Sequence, residues 1–172
     1  MTDTSAATRP DTERTVVYPS AAVPAVPAFV FTGSDGWTID EAPGALVVLR
    51  SPQQADGSSL DAILRHDRVA ASVTLEDAAK VTWARIQRET PDAKLSFERV
   101  AGFGPNVVYL RGFSFGTPGG ATIAELHAMF LAPKVDGRKT ADLFQLAMTG
   151  PAEALQQRGQ EFVEMVASFR FV

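Results

Sequence analysis

The chain contains no cysteine. That excludes disulfides, a thiol nucleophile, Fe–S clusters and thiolate zinc sites. It also excludes any group attached through a cysteine. Histidine is scarce: His66 and His127 are the only two. They fall on separate predicted strands and neither has a helical i, i+4 partner, so no metal site is expected, and each is read as a strand histidine with one ring edge solvated. No run of about 18 apolar residues occurs, so no membrane-spanning helix is expected. Positive charge is not in excess either. Sixteen basic residues against 20 acidic ones give a net charge of −4, which is no footprint for nucleic acid.

What is present suits one packed domain. The 172 residues are 45% hydrophobic. That is too short for an eight-stranded α/β barrel of ~250 residues. It is long enough to bury roughly 70% of the unfolded surface without staples. Residues 1–28 differ from the rest. Thr, Ala and Pro dominate there, with Pro10, Pro19, Pro24 and Pro27, so a disordered or extended arm is expected. Asp3 is the first charge, and Pro24 and Pro27 interrupt the apolar stretch from Ala21 to Phe31. This is not a basic region followed by an unbroken apolar one, so no secretory leader is expected. Residues 29–172 read as a single domain.

Turn residues divide that domain. Short strands are predicted near 29–32, 37–41 and 45–50, separated by Ser34-Asp35-Gly36 and Ala42-Pro43-Gly44. Leu60–Val69 alternates partly and reads as a strand. Thr74 followed by Asp77 approximates a capping box, and Leu75, Ala79, Trp83 and Ile86 recur at helical spacing up to Pro91. Strands are then predicted over 94–100, 107–115, 122–132 and 139–148. Asp136-Gly137 is the two-residue hairpin signal between the last pair. A second helix is predicted over about 151–168, with Pro151 at its first helical position and a stripe of Leu155, Phe162, Val166 and Phe169. Strands, helix, strands, helix argue for an α+β fold, an antiparallel sheet flanked by two main helices with an open sheet edge. Trp37, Trp83, Phe97, Phe103, Phe130, Phe144, Phe162 and Phe169 are expected in the core.

Candidate chemistry is sparse. Gly112-Phe113-Ser114-Phe115-Gly116 matches G-x-S-x-G, the nucleophile elbow of α/β-hydrolases. That motif needs a strand-to-helix turn, and Thr117-Pro118-Gly119-Gly120 followed by another strand does not supply one. Gly102-Phe103-Gly104 precedes a strand, not a helix, so it is no phosphate loop. One polar group stands out. Alternation places Tyr109 and Arg111 on one face of their strand and Glu125 and His127 on one face of the next. If the faces coincide, the four lie side by side and Arg111 can pair with Glu125 across the strands. They form a candidate binding patch, or the groups of a general acid–base site.

The segments "GWTIDEAPGALVVLRSP", "GFGPNVVYLRGFSFGTPGGATIAELHAMFLAP", "LFQLAMTGP" and "FVEMVASFRF" carry a family resemblance. Over about residues 29–172 the chain resembles the LpqN/LpqT-type actinobacterial lipoproteins, within the wider PsbP-like group. The resemblance implies a PsbP-like α/β/α sandwich and an accessory, scaffold or ligand-binding role rather than an enzymatic one. It carries over no catalytic residue and implies no cofactor. Exported members need a leader and an acylated cysteine. Neither is read here, so a cytoplasmic location is expected. The expected function is therefore a non-enzymatic accessory or binding protein. It would hold a protein partner, or an apolar, lipid-like small molecule between sheet and helix. The alternatives are an assembly component using the N-terminal arm, and an enzyme using Tyr109, Arg111, Glu125 and His127. A cavity between helix and sheet would favour the small ligand. A solid core with an exposed apolar patch would favour a protein. The oligomeric state stays open.

Overall fold

Alternation along five long strands decides which way each side chain faces. The computed structural model describes residues 19, 20 and 23–172. Most of the expected N-terminal arm lies outside them. Three short strands come first: β1 (Phe29–Val30), β2 (Thr38–Asp40) and β3 (Val47–Arg50). Then follow β4 (Asp61–Ala70), α1 (Leu75–Glu89), β5 (Lys94–Phe103), β6 (Asn106–Gly116), β7 (Thr122–Leu131), β8 (Thr140–Pro151), α2 (Ala152–Ser168) and β9 (Arg170–Phe171). The main sheet has seven strands in the order β2-β3-β4-β8-β7-β6-β5, and every neighbouring pair is antiparallel. The fold is α+β, with one helix on each face.

The α2 face carries the larger core. Leu64 on β4, Leu110 on β6, Phe130 on β7, and Phe144 and Leu146 on β8 meet Leu155, Phe162, Met165 and Val166 of α2. Phe169, which caps α2, lies edge-on to Phe130 at 4.4 Å between ring centroids and stacks on Phe29 at 5.5 Å. Such aromatic pairs contribute beyond their buried area. β9 then pairs antiparallel with β1. Both chain ends of the domain thus close over the phenylalanine cluster, and Val26 packs against it too. Arg158 and Glu161 pin the early loop from the helix side. Glu161 accepts a hydrogen bond from Trp37 Nε1 at 2.6 Å, while Arg158 bonds Glu161 and sits over the indole.

Asp142 anchors the far end of β8. It takes His66, Arg68 and Arg138 within 3.3 Å. Burial opposes its ionisation, but the hydrogen bonds from His66 and Arg68 and the charge of Arg138 hold its carboxyl below the usual range.

Several local expectations are corrected. Asp136-Gly137 does turn the chain, but β7 and β8 are joined by residues 132–139 rather than by two residues. A two-residue type I′ turn needs positive φ at both centres, and here Gly137 alone has it. Pro151 is the N-cap of α2, not its first helical residue, and it ends β8. β5 runs three residues beyond its predicted end, and β9 was not predicted. Phe97 is not core: it is 42% exposed on the edge strand β5. Its ring covers Gly112, where any Cβ would collide with it. Gly112 to Gly116 lie inside β6 and no helix begins there. Thr74 and Asp77 form the reciprocal capping box of α1.

Phe169 is 1% exposed and touches both termini and α2. Phe169→Ala is therefore expected to cost about 3–5 kcal/mol, read as a lower denaturation midpoint in urea. A loss under 1 kcal/mol would contradict its central place.

A cleft between the first helix and the sheet

The opposite face is built differently. α1 presents Ala78 and Ala79 to the sheet, and these small side chains let it approach Tyr109, Met129 and Leu143 closely. Trp83, one turn on, meets Phe113 edge-on at 5.5 Å. This cluster is small, and α1 does not cover β4 and β8 fully. Two adjoining clefts remain, of about 410 and 350 Å³, which share Thr82, Arg85 and Gln145 in their walls. Each falls in the size range of small-molecule sites, ~300–1,000 Å³. The first has an apolar wall of Val69, Val73, Val81 and Leu143. The second is polar, with Arg65, Arg85, Glu89, Glu125 and His127.

The four predicted patch residues do share one sheet face. Arg111 stands opposite His127 in the β6–β7 register, and Glu125 opposite Phe113. The expected Arg111–Glu125 pair is therefore not formed. Instead the four divide into two groups. Tyr109 and Arg111 turn towards β5. Tyr109 donates its hydroxyl to Glu98 Oε2 at 2.6 Å, and Arg111 Nη2 donates to the same oxygen at 3.2 Å and to the Ala79 carbonyl at 3.1 Å. The hydroxyl of Tyr109, then the guanidinium of Arg111, hold the Glu98 carboxyl below its ordinary pKa despite some desolvation. Arg111 is 1% exposed and lies 5.0 Å from the centre of the Trp83 ring and 5.3 Å from that of Tyr109. Cation–π attraction offsets part of its desolvation, yet its Nε and Nη1 have no hydrogen-bond partner.

Glu125 and His127 belong to the cleft. Thr149 donates to Glu125 at 3.0 Å, but burial pushes the Glu125 carboxyl above its usual range. His127 is 4% exposed, not the half-solvated strand histidine expected, and its Nδ1 has no partner. Burial, then the charges of Arg111, Arg85 and Arg65, push its pKa down to about 4, with the side chain of Gln145 acting in the opposite sense. Gln145 also donates to Asp67 at 2.6 Å. His127 is thus a neutral imidazole at pH 7 in a field set by three guanidinium groups.

Sequence reasoning missed Glu98, Trp83, Arg65, Arg85 and Gln145. One signal was available. Gln145 sits in the apolar run Leu143–Met148, and a lone amide inside a buried strand needs polar partners. Among the described residues no group of three His, Asp or Glu is placed to hold a metal. No described helix is long and apolar enough to cross a membrane.

No family model and no curated protein sequence matches the chain. Solved structures do. LpqN of Mycobacterium tuberculosis, involved in cell envelope biogenesis, superposes with a TM-score of 0.67 at 14% identity, covering 85% of this chain and 84% of that one. This is the LpqN fold. The cyanobacterial PsbP of Synechocystis has it too, with a TM-score of 0.55 at 16% identity over 84% of this chain and 86% of its own. The Ran-binding protein Mog1p of Saccharomyces cerevisiae gives 0.57 at 13% identity, over 84% and 90%. Likeness to LpqN at such identities establishes the shared fold and no more.

His127 has a pH consequence. Its folded pKa of about 4 lies below the ordinary 6.5. The unfolded chain therefore binds a proton between these values and the folded chain does not. Stability rises with pH across that window and is lost as pH falls through it, by up to about 3 kcal/mol. Glu125, with its raised pKa, opposes this in part. Denaturant midpoints between pH 4 and 7 are expected to fall less steeply in His127→Gln than in the wild type. An imidazole NMR titration of His127 with a midpoint near 6.5 would refute the argument.

Proposed function

We propose that residues 29–172 form a non-enzymatic binding module which holds an apolar or amphipathic small ligand between α1 and the sheet. The observation that carries this reading is the chemistry of the α1 face. The α2 side also has an open groove, about 440 Å³ beside Phe97, Leu126 and Leu155, but the α1 face joins an apolar cleft to one walled by Arg65, Arg85, Glu125 and His127. Glu125 and His127 serve as polar lining of that site. Tyr109 and Arg111 serve it indirectly, by holding α1 and β5 to the sheet. The division of the four residues weighs against the enzymatic alternative, since they do not converge on a common point. The fold shared with LpqN and Mog1p, whose names connect them with envelope biogenesis and with Ran binding, fits an accessory role.

A protein partner is the second reading, and one feature favours it. β5 is a ten-residue edge strand with Leu95, Phe97 and Val100 exposed. Such an edge is a ready site for strand addition.

Titration of the isotope-labelled protein with 1-decanol separates the two readings. Amide shifts are expected at Val69, Val73, Val81 and Leu143, with β5 unaffected. Val81 is 72% exposed, so Val81→Asp is expected to leave the fold intact and weaken decanol binding about tenfold, equal to ~1.4 kcal/mol. Saturable shifts confined to β5, or no shifts at all, would overturn the cleft reading.

A further inference from the structure

The two halves of the cleft differ in chemistry, and the polar half has unspent basic groups. The nearby acids are mostly committed. Asp67 accepts from Gln145, Glu125 from Thr149, and Asp77 closes the capping box with Thr74. The bases are not. Arg65 and Arg85 are exposed at the cleft wall, and neither is within 4.0 Å of a carboxylate oxygen among the described residues. Glu89, one turn beyond Arg85, also lines the wall without forming such a pair. Below the two arginines lies His127, buried, lining the same space, with Nδ1 lacking a partner.

These features set the ligand's head. Two guanidinium groups present forked donors suited to a planar anion. Asp67, Asp77, Glu89 and the partly buried Glu125 temper the field of the arginines, which suits a single negative charge better than a doubly charged phosphate. The apolar half sets the tail. Val69, Val73, Val81 and Leu143 continue from the arginines along α1, with Arg85, Thr82 and Gln145 common to both halves.

We propose that the α1 cleft takes an amphiphile with a carboxylate head, the head between Arg65 and Arg85 and the alkyl tail along Val69, Val73, Val81 and Leu143. This rests on the cleft reading above and names the class of ligand for it. The buried imidazole of His127 is part of the lining near the head.

The test compares three probes of equal chain length: decanoate, 1-decanol and decyltrimethylammonium, each titrated against the full chain at pH 7 and low salt, below its aggregation concentration. Decanoate is expected to bind at least tenfold more tightly than decanol, and decyltrimethylammonium no more tightly than decanol. Both arginines are exposed, so Arg65→Gln and Arg85→Gln are expected to keep the wild-type amide spectrum. Each should cut the decanoate advantage over decanol about fivefold. Raising salt to 0.5 M should shrink the advantage in the wild type, since exposed charges are screened. Equal affinity for decanoate and decanol would overturn the carboxylate assignment and leave the cleft reading standing. So would an advantage that both arginine variants retain. Failure of all three probes to bind would overturn both.

Discussion

The contact between Phe130 and Phe169, 4.4 Å apart at their ring centres, is the interaction on which the rest of the structure depends. Phe130 comes from the middle of the sheet and Phe169 from the end of α2. Their union brings α2 down onto β7 and β8, and places the short β9 where it can pair with β1. β1 and β9 are thereby held by the same cluster that forms the core. Fully buried phenylalanines dominate the stability of a domain of this size.

Because one face of the sheet carries most of the packing, the other is free to be imperfect. α1 is seated on two alanines and a tryptophan rather than on a broad aliphatic stripe. It brings polar groups into the interior beneath it: Arg111, His127 and Gln145 are all buried. Each costs desolvation energy that a hydrocarbon would not. Arg111 offsets part of it through Glu98, Ala79 and two aromatic faces. His127 does so by remaining neutral. Cost of this kind, gathered on one face and next to open space, is the usual mark of a face used for something besides folding.

Much of the fold was legible in the sequence, because its main signals are local. The capping box Thr74–Asp77, the glycine turns and the strand periodicity each depend on a few neighbouring residues. Alternation was also enough to group Tyr109, Arg111, Glu125 and His127 on one face. The partners of those four were not legible. Glu98 reaches Arg111 across the β5–β6 pairing, Thr149 reaches Glu125 across β7–β8, and Trp83 arrives from the helix above. Cross-strand register and helix placement set these, and neither is written in a local pattern. The Asp136-Gly137 turn shows the same limit: the residues foretold a bend, but not that eight residues would separate the strands.

The sequence by itself determined the class of chain: no thiol chemistry, no apolar run long enough to span a bilayer as a helix, a net charge of −4, and an antiparallel sheet with two helices. These follow from composition and from periods of 2 and 3.6 residues, which are properties of short stretches. Only the tertiary structure decided that the two sheet faces differ, one packed on aliphatic and aromatic side chains and one with buried polar groups beside a cleft. It also decided that His127 is buried beside three arginines rather than half-solvated on a strand. The physical reason is that burial and electrostatic field are sums over neighbours distant in the chain, and those neighbours are known only once the sheet has chosen its order and the helices their faces.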